Sequence, residues 1–232
     1  MGTAVRGGLR WVSDLLFDSG ENRHGVLPAL LVVLTVTTGL VDALSFLGLS
    51  RVFVANMTGN VAFLGFALAG DPQLSVWAPP LAVAVFTAGA WSTGRLARWM
   101  PDARREFTIL TAVHALLVAV ALVVALLAGH RTVGARAALI ALLGYGMGLQ
   151  NAAARRLAVP DLVTITVLTS TLTRLAADPP ERAGLRRSVS IAALFTGALA
   201  GAALFLNLGA LPVLALAVAL LAVVTLASRS RS

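Results

Sequence analysis

The chain contains no cysteine and no lysine, and only 12% of its 232 residues are charged. The absence of cysteine excludes disulfides, thiolate nucleophiles and thiolate metal sites. All eighteen basic residues are arginines, and they lie outside or at the edges of the apolar stretches. This placement argues against nucleic-acid binding, which requires a basic face interleaved with aromatic residues on a folded surface.

Catalytic motifs are also absent from the sequence. His24, His114 and His130 have neither the spacing of metal ligands nor a nearby acidic partner. No glycine-rich phosphate loop precedes a predicted helix, and no serine has a matching base. We therefore predict a protein that is not an enzyme and that has no cofactor and no metal. His114, inside an apolar segment, is interpreted as a packed or pore-facing residue.

Hydrophobic residues make up 58% of the chain and the mean hydropathy is +0.89, which is too apolar for an ordinary soluble domain. Eight apolar segments follow one another, most of them near the ~20 residues that cross a bilayer. They are residues 26–49, 52–69, 76–96, 107–127, 135–154, 162–175, 189–205 and 208–226. The fold class predicted is an all-α, multi-pass membrane protein whose partner is the lipid bilayer.

The second and sixth segments contain polar and β-branched residues where an unbroken span would be apolar. Such residues favour extended backbone and helix capping. We therefore predict six full transmembrane helices and two re-entrant segments, each an extended entry followed by a half-helix, at residues 60–69 and 171–177.

The chain also repeats itself. Residues 38–43 (TGLVDA) recur as residues 147–152 (MGLQNA), and residues 86–90 (FTAGA) recur as residues 195–199 (FTGAL), both at an offset of 109. Internal repeats are used by transporters to build a site at the midplane of the bilayer. Two repeats are predicted, residues 26–128 and 134–228, with residues 1–25 as a tail carrying an interfacial amphipathic helix and residues 229–232 as a second tail.

The arginines indicate the topology. If all eight segments cross, eleven arginines lie on one side and seven on the other; if the second and sixth turn back, the division is fifteen against three. The second division follows the positive-inside rule. It predicts that both termini are cytoplasmic and that the repeats have inverted orientation, since each repeat crosses three times; the bacterial plasma membrane as the location is implied only by the family resemblance given below.

The N-termini of the two half-helices would then meet near the midplane, where their unpaired N–H groups favour an anion or the negative end of a polar solute. The predicted substrate-binding residues are Asn56, Thr58, Gly59, Asn60, Thr169, Ser170 and Thr171. The alternative is that these residues only cap and pack kinked helices.

Three further polar residues lie within predicted spans: Asp42, Gln150 and Asn151. Asp42 is the only carboxylate that we place inside a span, and it is a candidate coupling group. It would alternatively be a hydrated helix-end residue or a partner of Arg51. Gln150 suits an interhelical hydrogen bond better than a ligand site.

Residues 39–43 (GLVDA), 51–60 (RVFVANMTGN) and 146–152 (GMGLQNA) resemble the signatures of the YoaK-like family of bacterial inner-membrane proteins, domain of unknown function 1275. The similarity extends over roughly residues 25–227. Ser170 stands where the first copy has Gly59, so the second turn departs from the first. The resemblance implies a multi-span membrane protein and no particular activity.

Transport best accounts for the repeat and the broken segments. We expect a transporter or channel for a small solute or ion, with the half-helix tips as the selective site. The alternative, a scaffold or sensor that binds a partner through its helices, remains open, as do the identity of the solute and assembly into a homo-oligomer.

Overall fold

The apolar runs of the sequence form α-helices in the computed structural model, which describes residues 3–17, 22, 24–160, 162, 168–177 and 182–229. Every regular element in these ranges is helical, in agreement with the predicted class. The helices are α1 Thr3–Leu16, α2 Leu27–Gly48, α3 Met57–Leu68, α4 Ala78–Leu96, α5 Ala103–Ala128, α6 Val133–Arg156, α7 Leu168–Ala177, α8 Arg182–Leu208 and α9 Ala210–Arg229.

Five helices in the described ranges are long and apolar enough to cross a membrane: α2, α5, α6, α8 and α9. Large hydrophobic side chains are exposed along α5, α8 and α9, for example Leu116 and Leu127 on α5 and Phe195 on α8. Such an apolar exterior suits lipid rather than water. The chain is therefore a multi-pass membrane protein, as predicted. The sixth predicted span, α4, is rich in small and polar residues and is not among the five; its crossing stays a prediction.

Two pairs of helices cross at glycines. A Cβ atom at Gly39 of α2 would collide with the carbonyl oxygen of Leu194 in α8, and one at Gly197 of α8 would collide with that of Val36. In the same way, a Cβ atom at Gly148 of α6 would collide with the Phe86 carbonyl of α4. Only glycine lets these backbones approach so closely, which places α2 against α8 and α4 against α6.

Polar contacts near the helix termini show which termini lie together, and they define a first and a second end of the bundle. At the first end, Arg104 of α5 donates to the backbone oxygen of His24, which precedes α2, at 3.1 Å. Arg156 near the end of α6 pairs with Glu106 of α5 at 2.7 Å. At the second end, Arg136 near the start of α6 reaches Ser50, which follows α2, at 3.5 Å. Thus α2 and α5 run towards the second end, and α6 runs back.

The direction of α4 follows from its packing on α6. Ala82 and Val85 lie beside Gly144, whereas Thr93 donates to the backbone oxygen of Leu149 at 3.2 Å. The two helices therefore run in parallel, and α4 starts at the second end. Because α2 finishes there, the chain between them (residues 49–77), including α3, leaves from and returns to the same end of the bundle.

An aromatic cluster marks the return of α3. The rings of Phe46 in α2 and Phe53 in the extended segment are 5.2 Å apart, and Phe63 of α3 lies 5.9 Å from Phe46 and 5.6 Å from Phe53. Phe46 lies about half a turn before the end of α2. The three rings thus hold α2, the segment before α3 and α3 itself together near the second end.

The corresponding chain in the second half leaves from and returns to the first end. There α6 finishes, and Arg186 near the start of α8 donates to the backbone oxygen of Leu16 in α1 at 3.4 Å. The helix in this part, α7, packs on α8, with Leu175 next to Gly184. The predicted extended entry to α7 lies largely outside the described residues, at 163–167.

The amphipathic helix predicted within residues 1–25 is α1, Thr3–Leu16. Its buried Ser13 hydroxyl accepts from the backbone N–H of Ala29 in α2 at 3.2 Å, while Trp11 and Leu15 are exposed. The helix is therefore attached to the first end of the bundle. An interfacial position for its exposed face stays a prediction.

The glycine crossings can be tested with matched substitutions in α4. We expect Gly89→Ala to lower the free energy of unfolding by about 1–3 kcal/mol, because the added methyl would collide with the Tyr145 carbonyl oxygen. Gly94→Ala in the same helix has open space around it and should leave stability unchanged or raise it by up to ~1 kcal/mol. Unfolding in mixed detergent micelles measures both, and equal effects would contradict the close crossing.

Candidate functional site

The centre of the candidate site is the carboxylate of Asp42, which binds the backbone of the broken segment. Its Oδ1 atom accepts from the N–H groups of Val54 and Ala55, each at 2.9 Å. Asp42, Val54 and Ala55 are all buried, so neither amide has water as an alternative acceptor. The extended chain is therefore fixed against α2 at the level of Asp42, about two turns inside the second end.

This arrangement matches neither form of the alternative interpretation of Asp42, a hydrated helix-end residue or a partner of Arg51, and its role as a coupling group stays a prediction. The carboxylate does not pair with Arg51, which is exposed and follows the end of α2. It is a buried acceptor for main-chain N–H groups, and Asn56 adds a looser polar contact to the same carboxylate. Its second oxygen, Oδ2, has no hydrogen bond of standard geometry within the described residues.

The turn into α3 is held by the side-chain amide of Asn60. Its Oδ1 accepts from the N–H of Phe53 at 2.9 Å, and its Nδ2 donates to the Phe53 oxygen at 2.7 Å. Asn60 is fully buried. The side-chain amide thus pairs with the backbone of Phe53 as a neighbouring strand would. In this conformation Asn60 supports the turn and does not face a ligand.

The start of α3 differs from the prediction. The helix begins at Met57 rather than at residue 60, and its N-cap residue, Asn56, makes no side-chain capping hydrogen bond. Predicted capping by Thr58 and Asn60 is therefore wrong, since both lie inside the helix. The first-turn N–H groups have no acceptor within α3, so the positive end of the helix dipole faces the interior of the bundle.

A cavity of about 310 Å³ lies at this tip. It is lined by Ala55, Met57 and Thr58 of the broken segment, Phe86 and Ala90 of α4, and Asn151, Ala152 and Arg155 of α6. A cavity of this size holds a small molecule of a few heavy atoms. Its polar groups, a hydroxyl, an amide and a guanidinium, suit a ligand with an anionic or strongly polar end.

The structure therefore brings Thr58 and Asn151 together among the predicted site residues. Asn56, Gly59, Asn60 and Asp42 lie behind them, where they shape the tip, and Gln150 faces α5. In the second half, α7 begins at Leu168, three residues before the predicted start. Thr171 is buried there; the side chains of Thr169 and Ser170 lie outside the described residues.

The sequence analysis missed a second buried carboxylate. Glu106, in the first turn of α5, is only 1% exposed and pairs with Arg156 of α6. Farther along α5, His114 is fully buried, with its Nδ1 atom 2.6 Å from Oε1 of Gln150. Gln150 therefore makes the interhelical hydrogen bond that we predicted. Acidic residues are common in the first turn of a helix, so the sequence gives no sign that Glu106 is buried. Its burial is explained only by the pairing with Arg156, 50 positions away in the chain.

At the second end, burial lowers the pKa of His130, as do, less strongly, the positive charges of Arg131 and Arg136. His130 therefore stays neutral to lower pH than a free histidine. Its ring packs edge-on against Phe205 at 5.7 Å. This residue lies outside the helices and forms part of the second-end surface.

Comparison with known proteins gives two matches. The family described as "Protein of unknown function (DUF1275)" matches residues 30–227. A transmembrane protein of Bacillus subtilis, UPF0700 transmembrane protein YoaK, is 33% identical over 153 residues, which are 64% of this chain and 65% of that protein. The match thus spans somewhat less than two thirds of that relative's length. No solved structure matches.

The role of Asp42 can be measured as stability. We expect Asp42→Ala to reduce the free energy of unfolding by about 2–6 kcal/mol, because two buried N–H groups lose their acceptor at about 1–3 kcal/mol each. Asp42→Asn keeps an acceptor oxygen and should lose less than half of that. Asp71→Ala, which removes an exposed carboxylate that accepts from Gln73, serves as the control.

The same detergent unfolding assay compares the three variants. An Asp42→Ala protein as stable as Asp71→Ala would show that the two N–H groups do not depend on the carboxylate.

Proposed function

The chain belongs to the DUF1275 family, and we propose that it is a transporter or channel for a small anionic or polar solute. The observation that carries this proposal is the cavity at the N-terminus of α3, deep in a bundle of membrane helices. Irregular backbone at membrane depth is tolerated only where protein buries it or where it lines a cavity. Broken helices of this kind form the substrate sites of many transporters.

An inverted repeat is part of the proposal, and the helix pairings support it. In an inverted repeat, α2, α3, α4 and α5 of the first half correspond to α6, α7, α8 and α9 of the second. Each contact between two helices should then have a counterpart between the corresponding helices. The α2–α8 crossing has its counterpart in α6–α4, the α5–α6 contact in α9–α2, and the α3–α4 contact in α7–α8; all of these contacts are observed. The crossing glycines Gly39 and Gly148 are themselves separated by the 109-residue offset. In such a repeat, the second broken segment would approach the same centre from the first end.

Electrostatics favour a solute with a negative group. The N-terminus of α3 contributes roughly half a positive charge, and Arg155 adds a full charge to the cavity wall. In the described part of the chain, no acidic side chain lines this cavity. Arg155 also engages a residue of its own chain, so a bound anion would share or displace that interaction.

The proposed membrane orientation rests on the distribution of arginines between the two ends of the bundle. Arg51, Arg131 and Arg136 belong to the second end, and the other arginines belong to the first end or to the tails. The positive-inside rule then places the first end and both termini in the cytoplasm. In a bacterial plasma membrane, the α3 tip enters from outside and the cavity extends from it towards the cytoplasmic side, where Arg155 lies.

Filling the cavity tests the proposed function. We expect Ala90→Phe to reduce flux at least tenfold, because its ring would occupy the space beside Thr58 and Asn151. Ala88→Phe adds the same ring to the exposed face of α4 and should leave flux unchanged. Proteoliposomes are assayed with labelled chloride, phosphate, sulfate and succinate.

Equal flux through the Ala90→Phe and Ala88→Phe variants would contradict the proposal that the solute passes through this cavity. A wild-type protein that moves none of a wider panel, including neutral solutes, would favour the scaffold alternative.

A further inference from the structure

The buried face of α5, an apolar spanning helix, carries a line of polar side chains, and two of them, Glu106 and His114, contact α6. Glu106, Thr111 and His114 all lie on the face of α5 that is buried, at 1%, 0% and 0% exposure. Polar residues buried in a membrane helix are costly and mark functional paths in membrane proteins. The line begins at the first end of the bundle and leads inwards over about 12 Å of helix.

His114 has one ring nitrogen engaged and one unengaged. Because Oε1 of Gln150 can only accept, the 2.6 Å contact makes Nδ1 the donor and leaves Nε2 as a lone-pair acceptor. Within the described residues, Nε2 of His114 and the hydroxyl of Thr111 have no hydrogen-bond partner, although both are fully buried. A buried unsatisfied acceptor on an imidazole is a site where a proton can bind.

The same stretch of α6 faces both this line and the cavity. Gln150 and Arg156 contact α5, while their sequence neighbours Asn151 and Arg155 line the cavity. Gly146 contributes the space for the imidazole, because a Cβ atom there would collide with the ring of His114. A charge gained by the ring is therefore separated from the cavity only by the width of one helix.

We propose that His114 is a proton-binding site that couples proton movement to movement of an anion through the neighbouring cavity, an inference that rests on the proposed function. A proton from the first end binds Nε2, while Nδ1 continues to donate to Gln150. The buried imidazolium and the anion in the cavity then stabilise each other, so each promotes binding of the other. Net movement of one proton with one monovalent anion transfers no charge.

The surroundings of His114 support this assignment. From α6 it is faced by Gln150 and Gly146, and the charged residues Arg155 and Arg156 lie farther towards the first end. The packed helix α9 has no titratable side chain before Arg229. On α5 itself, Glu106 is the one acidic group, and it lies at the entrance, paired with Arg156. No carboxylate of these helices is placed to fix the imidazolium permanently, so the proton can leave.

The test uses His114→Asn, whose amide can still donate to Gln150 but does not titrate. Labelled chloride, phosphate, sulfate or succinate is added outside the proteoliposomes, and two quantities are measured: exchange against unlabelled solute inside without a pH gradient, and accumulation driven by an imposed pH gradient. We expect exchange to persist at a higher half-saturating concentration, because the imidazolium no longer assists anion binding, and accumulation to fall at least tenfold. His130→Asn, a histidine at the second end, should keep both.

Accumulation by His114→Asn at the wild-type level would overturn the proposal. So would a wild-type protein that exchanges a solute but does not accumulate it in a pH gradient; the proposed function would then stand without proton coupling. A wild-type protein that does neither would overturn both.

A second measurement covers the case in which His114→Asn does not fold. The double variant His24→Asn/His130→Asn leaves His114 as the sole histidine. Nitrogen-15 NMR of its imidazole, near pH 6, should shift towards the imidazolium form on addition of a transported anion. Spectra that do not change with the anion would overturn the proposal.

Discussion

The structure depends on one buried carboxylate that accepts two main-chain hydrogen bonds. In lipid, an extended segment exposes N–H groups that neither water nor bilayer can satisfy, at a cost of several kcal/mol each. Asp42 meets this requirement for Val54 and Ala55, and Asn60 does so for both polar groups of Phe53. These two side chains let the chain turn inside the bundle and start a helix there. The cavity, the exposed dipole of α3 and the functional proposals all follow from that turn.

Close helix crossings place this turn in the bundle. Glycines at the α2–α8 and α4–α6 crossings bring backbones into direct contact, and the second pair supplies most of the cavity wall. The α5–α6 interface lies on the opposite side of α6, so one helix connects the cavity with the His114 line. In the proposed coupling, the imidazolium and the bound anion therefore lie on two sides of the same helix.

The spans were predictable from the sequence because uninterrupted apolar runs of about 20 residues have few alternatives to a membrane helix. The starts of α3 and α7 were each missed by three residues. For α3 the reason is that the capping rule assumes a free side chain, whereas Asn60 is hydrogen-bonded to Phe53. Thr58, predicted to bind substrate, and Asn151, predicted as a polar residue in a span, line one cavity, and their functional roles stay predictions. Glu106 and the engagement of Asp42 were not predictable, because both depend on partners remote in the chain.

The central claim, that residues 49–77 return to the end from which they leave, is tested most directly by sided labelling. The absence of cysteine allows single cysteines at the exposed positions Arg51 and Asp71 without further changes. A membrane-impermeant maleimide added to sealed, oriented vesicles should label both positions from the same side. Labelling of the two positions from opposite sides would mean that the segment crosses the membrane, and it would contradict the account.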